Sequence, residues 1–179
     1  MNIAEIETLA VQKLLARQAI ADALTRYARG IDRCDLDALK SAFWSDGVTN
    51  YGDADSNAWD WCAAVIAALK TMERTQHFLG NMLIEIDGDT ATAETYCRAY
   101  HEVSTPEGMR EMMVGGRYLD RLACRGGDWR IAHRQYVMDW NQNGPSTAKW
   151  TEGLYAGLKV VGRRFPDDPL YRLSSSGRR

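Results

Sequence analysis

The second half of the sequence consists of four strand patterns joined in pairs by short turns. The four patterns span residues 75–86, 91–103, 109–124 and 129–140. The first pair flanks Asp87-Gly88-Asp89 and the second flanks a turn with two glycines, and both turns are typical of antiparallel hairpins. A parallel doubly wound sheet needs a helix between successive strands, so this half of the chain does not fit that class.

Helical patterns precede these strands. The first spans residues 5–31 and places a stripe of apolar residues on one side, at spacings of four, three and four: Ile20, Leu24, Tyr27 and Ile31. Asp35 and Asn57 are suited to N-cap a short second helix and a third helix. Helices followed by a meander of antiparallel strands predict an α+β fold, in which the helices cover one face of a curved sheet.

The chain of 179 residues is long enough for one domain with a sizeable core. We assign residues 1–142 to that domain and 143–179 to a C-terminal extension that holds a loop, a short helix and a disordered end. The extension is turn-rich around Phe165-Pro166, and its last residues are Ser-rich. Its middle part is expected to close over a cavity or to pack on a neighbouring subunit.

Charge and cysteine usage exclude several classes of partner. A net charge of −2 with mixed signs gives no footprint for nucleic acid. No apolar run approaches the ~18 residues of a membrane span, and no secretory signal is visible at the N-terminus. Four scattered cysteines without a CxxC pair predict free thiols in the cytoplasm rather than a zinc site.

Asp32 is the first candidate site residue. It follows the buried stripe at the end of the first helix, where a carboxylate meets the negative end of the helix dipole. Asp35 is better placed to cap the next helix, so capping does not explain Asp32. Two interpretations remain open from the sequence: a site carboxylate, or a partly exposed side chain that pairs with Arg29 or Arg33.

Strict alternation in the last strand predicts one face with Arg134 among apolar and aromatic groups: Ala132, Arg134, Tyr136, Met138 and Trp140. Such a face indicates a pocket lining, or else an arginine paired with a carboxylate at the sheet edge. In the strand from Thr75, alternation places His77 with Leu79 and Asn81, away from Phe78. Both faces of this strand are apolar, which predicts a homo-oligomer.

These elements in order resemble the SnoaL-like branch of the nuclear-transport-factor-2-like superfamily, over roughly residues 8–142. The resemblance rests on Tyr27-x4-Asp32, Arg33-x-Asp35-x-Asp37-x-Leu39, Trp44-Ser45-Asp46-Gly47, His77 early in the first long strand, and Trp129-Arg130-Ile131-x-x-Arg134. The branch includes bile acid 7α-dehydratase, scytalone dehydratase and hexachlorocyclohexane dehydrochlorinase. The resemblance implies a cone-shaped sheet wrapped around the helices, with an apolar pocket at its open end.

The resemblance also implies the site residues. The eliminating members use an Asp–His pair without a cofactor or metal, and the matching positions here are Asp32 and His77. Tyr27 matches a tyrosine of the bile acid enzyme, and Arg134 matches an arginine of the dehydrochlorinase that helps the leaving group depart. Whether His101 corresponds to the second histidine of scytalone dehydratase stays open.

The expected function is therefore that of a lyase of the dehydratase type, acting on a hydrophobic steroid-like, terpenoid or aromatic molecule. The substrate is expected to meet four further side chains: Asn81, Tyr136, Met138 and Trp140. Two alternatives remain: an isomerase or polyketide cyclase that uses the same base, and a binding or subunit-type protein such as the small subunit of a ring-hydroxylating dioxygenase. The expected assembly is a trimer, as the eliminating relatives suggest, or a dimer, with no nucleic-acid or membrane partner.

Overall fold

Helices lie at the start of the chain and a long meander of strands follows them. The structure, a computed structural model, describes residues 2–52 and 54–173. The helices are α1 (Ile3–Arg33), α2 (Leu36–Ser41), α3 (Ala58–Leu69) and α4 (Leu170–Leu173), with a 3-10 turn at Gly153–Gly157. The strands are β1 (Phe43–Asn50), β2 (Asp55–Asn57), β3 (Arg74–Asp87), β4 (Thr90–Thr105), β5 (Gly108–Arg125) and β6 (Asp128–Pro145).

The junction between α1 and α2 is a tight corner. α1 ends at Arg33, and its C-cap residue Cys34 adopts the left-handed conformation with φ of 50°. The Asp35 side chain then accepts a hydrogen bond from the Ala38 N–H and caps α2, as the sequence predicts. At Gly30 the two helices approach so closely that a Cβ atom would lie 2.5 Å from the Leu39 nitrogen. This corner fixes the direction of the last turn of α1, which carries Asp32.

One six-stranded sheet has the order β2-β1-β6-β5-β4-β3. The four long strands β3 to β6 are antiparallel neighbours, which confirms the predicted α+β meander. β1 adds one parallel pairing to β6, which the sequence does not predict because β1 is short and distant from β6 along the chain. β3 forms one edge of the sheet, and α1 packs against it.

A register shift in β3 changes which side chains share a face. Leu79 lies opposite Cys97, but the next pair is Met82 opposite Thr95. Because Cys97 and Thr95 are on one face of β4, Met82 joins the face of His77 and Leu79. The prediction that Asn81 shares the face of His77 is therefore wrong: Asn81 is exposed at the irregularity.

Two register shifts in β6 break the predicted face of that strand as well. The first follows the Arg121–His133 pair, and it separates Ala132 from Arg134. The second lies between Met138 and Trp140, so Trp140 pairs with Gly115 on the outer face and lies across that glycine. The placement of Trp140 in the same row as Arg134 is thus wrong. The shared inner face of β6 is reduced to Arg134, Tyr136 and Met138.

The core lies between α1, α3 and the inner face of the sheet. The α1 stripe that the sequence predicts is buried there: Ile20, Leu24, Tyr27 and Ile31. Across residues 2–52 and 54–173, no helix combines the length and apolar character needed to cross a bilayer. All four cysteines are free thiols.

Candidate functional site

Asp32 and His77 are in direct contact although they are 45 residues apart in the sequence. The Asp32 Oδ1 atom lies 2.8 Å from the imidazole Nδ1, and the backbone N–H of His77 donates to Oδ2 at 2.8 Å. The two side chains are only 10% and 7% exposed. Both carboxylate oxygens of Asp32 are therefore engaged by a single residue.

The position of β3 at the sheet edge explains this geometry. The backbone N–H of His77 faces away from β4, so it has no partner within the sheet, and the last turn of α1 brings a carboxylate to it. The alternative pairing of Asp32 with Arg29 or Arg33 is wrong, because Arg33 instead forms an ion pair with Asp168 at 3.0 Å. Asp32 thus joins the helix end to the free edge of the sheet.

The carboxylate also determines which imidazole nitrogen carries the proton. An ionised carboxylate only accepts hydrogen bonds, so in the neutral form of the His77 ring Nδ1 donates and Nε2 keeps its lone pair. Among the residues that the structure describes, Nε2 has no hydrogen-bond partner. An imidazole held in this tautomer is suited to act as a general base.

His101 lies beside this pair on the neighbouring strand. Its ring is perpendicular to that of His77, with 5.5 Å between the ring centroids. Burial, and next the charge on His77, lower the pKa of His101 to about 4. His101 is therefore neutral at pH 7, and the site contains two imidazoles in edge contact.

We expect the low pKa of His101 to make the fold sensitive to acid. Protonation is disfavoured in the folded state, so this contribution to stability is complete above pH 6.5 and is lost progressively as the pH falls from 6.5 to about 4. Between pH 7 and pH 4, the free energy of unfolding measured in urea should fall by about 3 kcal/mol more for the wild type than for His101→Gln. Equal losses in both proteins would contradict this assignment.

Tyr27 belongs to a buried cluster of phenols. Its hydroxyl lies 2.6 Å from that of Tyr51 and donates to that of Tyr118 at 3.5 Å. Burial raises the pKa of Tyr27 and of Tyr51, so both hydroxyls stay protonated at neutral pH. Tyr27 is fully buried, and the Tyr51 side chain is half-buried, with its hydroxyl directed into the cluster against that of Tyr27.

Arg134 forms a closed ion pair in the core and does not line an open pocket. Its Nε and Nη2 donate to the two carboxylate oxygens of Asp120, each at 2.7 Å, and neither side chain is exposed. The guanidinium also lies 4.0 Å from the ring centroids of Tyr27 and of Tyr118. The pairing of Arg134 with a carboxylate is thus the correct alternative, at the centre of the sheet rather than at its edge.

We expect single substitutions in this pair to destabilise the fold strongly. Arg134→Met leaves the Asp120 carboxylate buried without its partner, which typically costs ~3–5 kcal/mol. The double variant Arg134→Met/Asp120→Leu removes both charges and should recover most of that loss. Urea unfolding of both single variants and the double variant gives the coupling energy. An additive double variant would show that the two side chains stabilise the fold independently.

The inner face beyond the Asp–His pair is apolar and partly open. Leu79 follows His77 on this face, and Met138 lies in the same cross-strand row, three strands away, with 58% of it exposed. Tyr136 is half-buried and stacks on Tyr51 with 5.4 Å between centroids. Of the four predicted substrate contacts, Tyr136 and Met138 share the face of His77, and Asn81 and Trp140 do not.

A cavity of about 290 Å³ adjoins Asp32. It is bounded by Asp32, Thr75, Gln76, Trp150 and Arg164, so it lies between the edge of β3 and the C-terminal segment. His77 is not part of its lining. Within residues 2–52 and 54–173, no group of three or more histidine, cysteine or carboxylate side chains converges in a way that could hold a metal ion.

Sequence reasoning missed several residues that build this site. Tyr51 lies in a turn, where no periodicity marks it. Asp120 could have been found, because it is a carboxylate on the buried face of β5, opposite Arg134 in the hairpin. The register shift at Ala132 hides this pairing from strict alternation. Arg164 lies in the extension, outside every motif that we recognised.

Residues 12–135 match the family model of the SnoaL-like domain. Terrestric acid biosynthesis cluster protein E of Penicillium crustosum is 31% identical over 137 residues, which cover 70% of this chain and 85% of that protein. An uncharacterized protein of Mycobacterium tuberculosis is 26% identical over 133 residues, covering 70% of this chain and 87% of that protein.

Several solved structures share the fold. A hexachlorocyclohexane dehydrochlorinase superimposes with a TM-score of 0.69 at 17% identity, over 78% of this chain and 96% of that one. A candidate scytalone dehydratase from Novosphingobium aromaticivorans gives 0.68 at 17% identity, over 78% and 94%. An NTF2-like protein with a cystatin-like fold, from the same species, gives 0.62 at 22% identity, over 77% and 90%. At these identities the likeness establishes the fold.

Proposed function

The chain belongs to the family of SnoaL-like domain proteins, and on that basis we propose that it is a lyase that eliminates water from a hydrophobic small molecule without a cofactor. Members of this fold group include dehydratases, isomerases and cyclases. The observation that carries the proposal is the hydrogen-bonded Asp32–His77 pair, with Nε2 of the imidazole left available. The proposed substrate class is steroid-like, terpenoid or aromatic.

In the proposed reaction, His77 Nε2 removes a proton from a carbon next to a carbonyl or conjugated group. The C–H and C–O bonds break, a C=C bond forms, and the imidazolium returns its proton to the departing hydroxyl, which leaves as water. Asp32 stabilises the imidazolium while the proton resides there, through the Nδ1–H hydrogen bond. His77 is thus base and then acid, and the enzyme ends each turnover unchanged.

The phenol cluster supplies the proposed hydrogen-bond donor. Tyr27 is fully buried, so we assign the contact with the substrate oxygen to Tyr51, with Tyr27 bound behind it at 2.6 Å. A protonated phenol that donates to a developing enolate oxygen is worth ~10²-fold or more in rate. Arg134 does not touch substrate in this proposal. The Arg134 guanidinium packs on the ring face of Tyr27 and holds Tyr27 in place.

The apolar inner face supports a hydrophobic substrate. Leu79, Tyr136 and Met138 lie on the side of the sheet that carries His77, and Met138 is largely exposed. An apolar wall with few polar groups is typical of small-molecule sites. The Penicillium crustosum relative is named for a biosynthesis cluster, which also supports a small organic molecule as the ligand.

The test is a thermal-shift screen with steroid, terpenoid and aromatic compounds, followed by incubation of each stabilising compound with the purified chain. Loss of one water molecule in the mass of the product supports a dehydratase. A product of unchanged mass supports an isomerase or cyclase that uses the same base. Binding without conversion supports the non-catalytic alternative.

We further propose that the chain is a cytoplasmic homo-oligomer, a trimer or a dimer. The outer face of the sheet exposes large apolar side chains, among them Phe78 and Leu83, which are 67% and 60% exposed. The four free cysteines fit a reducing compartment. Light scattering that shows a monomer at micromolar concentration would refute the oligomer.

A further inference from the structure

The C-terminal segment Arg163–Asp168, which we call the strap, crosses the end of α1. Its attachment is mostly polar: the Phe165 N–H donates to the Arg33 carbonyl at 2.6 Å, and Arg33 donates to the Asp168 carboxylate at 3.0 Å. Asp168 also accepts from the N–H of Arg163 at 2.8 Å. Part of the extension that the sequence marks as turn-rich is thus bound to the domain. Residues 174–179 lie outside the described part.

Arg164 is the centre of this attachment. Its Nη1 donates to the Asp32 carbonyl at 2.5 Å and to Thr75 Oγ1 at 2.6 Å. Its Nη2 faces the carbonyls of Leu69 and Met72 at 3.3 and 3.5 Å. All four partners are neutral oxygen atoms. One guanidinium therefore connects α1, the end of α3 and β3.

The chemistry of helix ends explains why a guanidinium fits here. Carbonyls in the last turn of a helix have no intrahelical partner, and the negative end of the helix dipole favours a cation. The strap satisfies two consecutive carbonyls of α1, those of Asp32 and Arg33. Leu69 is the last residue of α3, so Arg164 serves a second helix end at the same time.

The two strongest contacts of Arg164 fall on the elements that carry the Asp–His pair. Asp32 is itself one of the pair, and Thr75 lies two residues before His77 on the same face of β3. The pair connects the end of α1 to the edge of β3. These two elements are far apart in the sequence, so the chain itself does not hold Asp32 next to His77. Arg164 bridges the two elements through the Asp32 carbonyl and the Thr75 hydroxyl.

From this geometry we propose that Arg164 is a positioning residue, which holds Asp32 at hydrogen-bonding distance from His77. The effect of Arg164 on turnover rests on the proposed function, in which the pair is catalytic. The contact between Asp32 and His77 is observable without any substrate. The strap lies outside residues 12–135, the part of the chain that matches the SnoaL-like domain.

The experiment compares Arg164→Met with Arg164→Lys and with the control Arg163→Met. Arg163 is exposed, carries the same charge and precedes Arg164, and its side chain donates no hydrogen bond within the described residues. The first readout is the Nδ1–H proton of His77 in NMR spectra of the free protein. It should be sharp and downfield in the wild type and in Arg163→Met, and broadened or lost in Arg164→Met.

The second readout is turnover on a substrate from the screen. Arg164→Met should lower kcat by on the order of 10–10²-fold with KM nearly unchanged, and Arg164→Lys should recover part of the loss. A folded Arg164→Met protein with an intact His77 signal and kcat within about twofold of wild type would overturn the proposal.

A fourth variant covers the case in which Arg164→Met does not fold. Thr75→Val removes only the contact with β3 and keeps the side-chain shape, so it should weaken the His77 signal in a folded protein. An unchanged signal in Thr75→Val would also overturn the proposal. Failure of the proposed function is distinguishable, because it would remove the effect on turnover but leave the NMR effect of Arg164→Met in place.

Discussion

Replacing His77 by alanine should abolish nearly all turnover on any substrate that the chain converts. The variant removes the Nε2 base, and general-base catalysis contributes typically ~10²–10⁴-fold, so we expect kcat to fall by about 10³-fold or more. The backbone N–H of residue 77 still donates to Asp32, which keeps the helix end joined to the sheet edge. Single-turnover kinetics with excess enzyme measures the loss directly.

The matched control is His133→Ala. His133 is half-buried in β6 and lies opposite Arg121, on the outer face of the sheet, so its loss should leave kcat unchanged.

Tyr27→Phe should reduce kcat less than His77→Ala, because it removes one hydroxyl behind Tyr51 and leaves the base intact. An inactive Tyr27→Phe beside an active His77→Ala would reverse the two roles.

Asp32→Asn should lower kcat by on the order of 10²–10⁴-fold with little effect on folding. The amide oxygen of asparagine can still accept the backbone N–H of His77. Its NH₂ group then faces Nδ1 and donates to it, which moves the ring proton to Nε2 and removes the basic lone pair from the substrate side. The carboxylate that stabilises the imidazolium is lost in the same step.

Two measurements separate this tautomer effect from damage to the fold. Urea unfolding at pH 7 should show that Asp32→Asn stays within about 1 kcal/mol of the wild type, since asparagine keeps both contacts with His77 and only exchanges donor and acceptor at Nδ1. Nitrogen-detected NMR of the His77 ring should show the proton on Nε2 instead of Nδ1. A variant that keeps Nδ1–H and full activity would refute the role of Asp32.

The fold class could be predicted from the sequence because its signals are local. Asp87-Gly88-Asp89 and the turn from Arg125 to Asp128 join long strands directly, and the caps at Asp35 and Asn57 mark helix starts that the structure confirms. The pairing of β1 with β6 could not be predicted, because it joins residues about ninety positions apart and depends on how the whole sheet curves.

The site could be predicted only in part, and the register shifts are the physical reason. Strict alternation correctly places His77 and Leu79 on one face, away from Phe78. One irregular step after Leu79 moves Asn81 off that face, and another after Met138 moves Trp140 off the face of Arg134. Such steps cost little energy and leave no clear mark in sequence. The buried partner of Arg134 and the reach of Arg164 depend on tertiary contacts that no local pattern encodes.

The hydrogen bond from the His77 backbone to Asp32 has a consequence for solubility. β3 is fourteen residues long, lies at the sheet edge and carries the exposed side chains Phe78 and Leu83. A long apolar edge with free N–H groups is a template on which a strand of another chain can add. Asp32 and the end of α1 occupy part of that template, so the contact that prepares the imidazole also hinders intermolecular sheet growth.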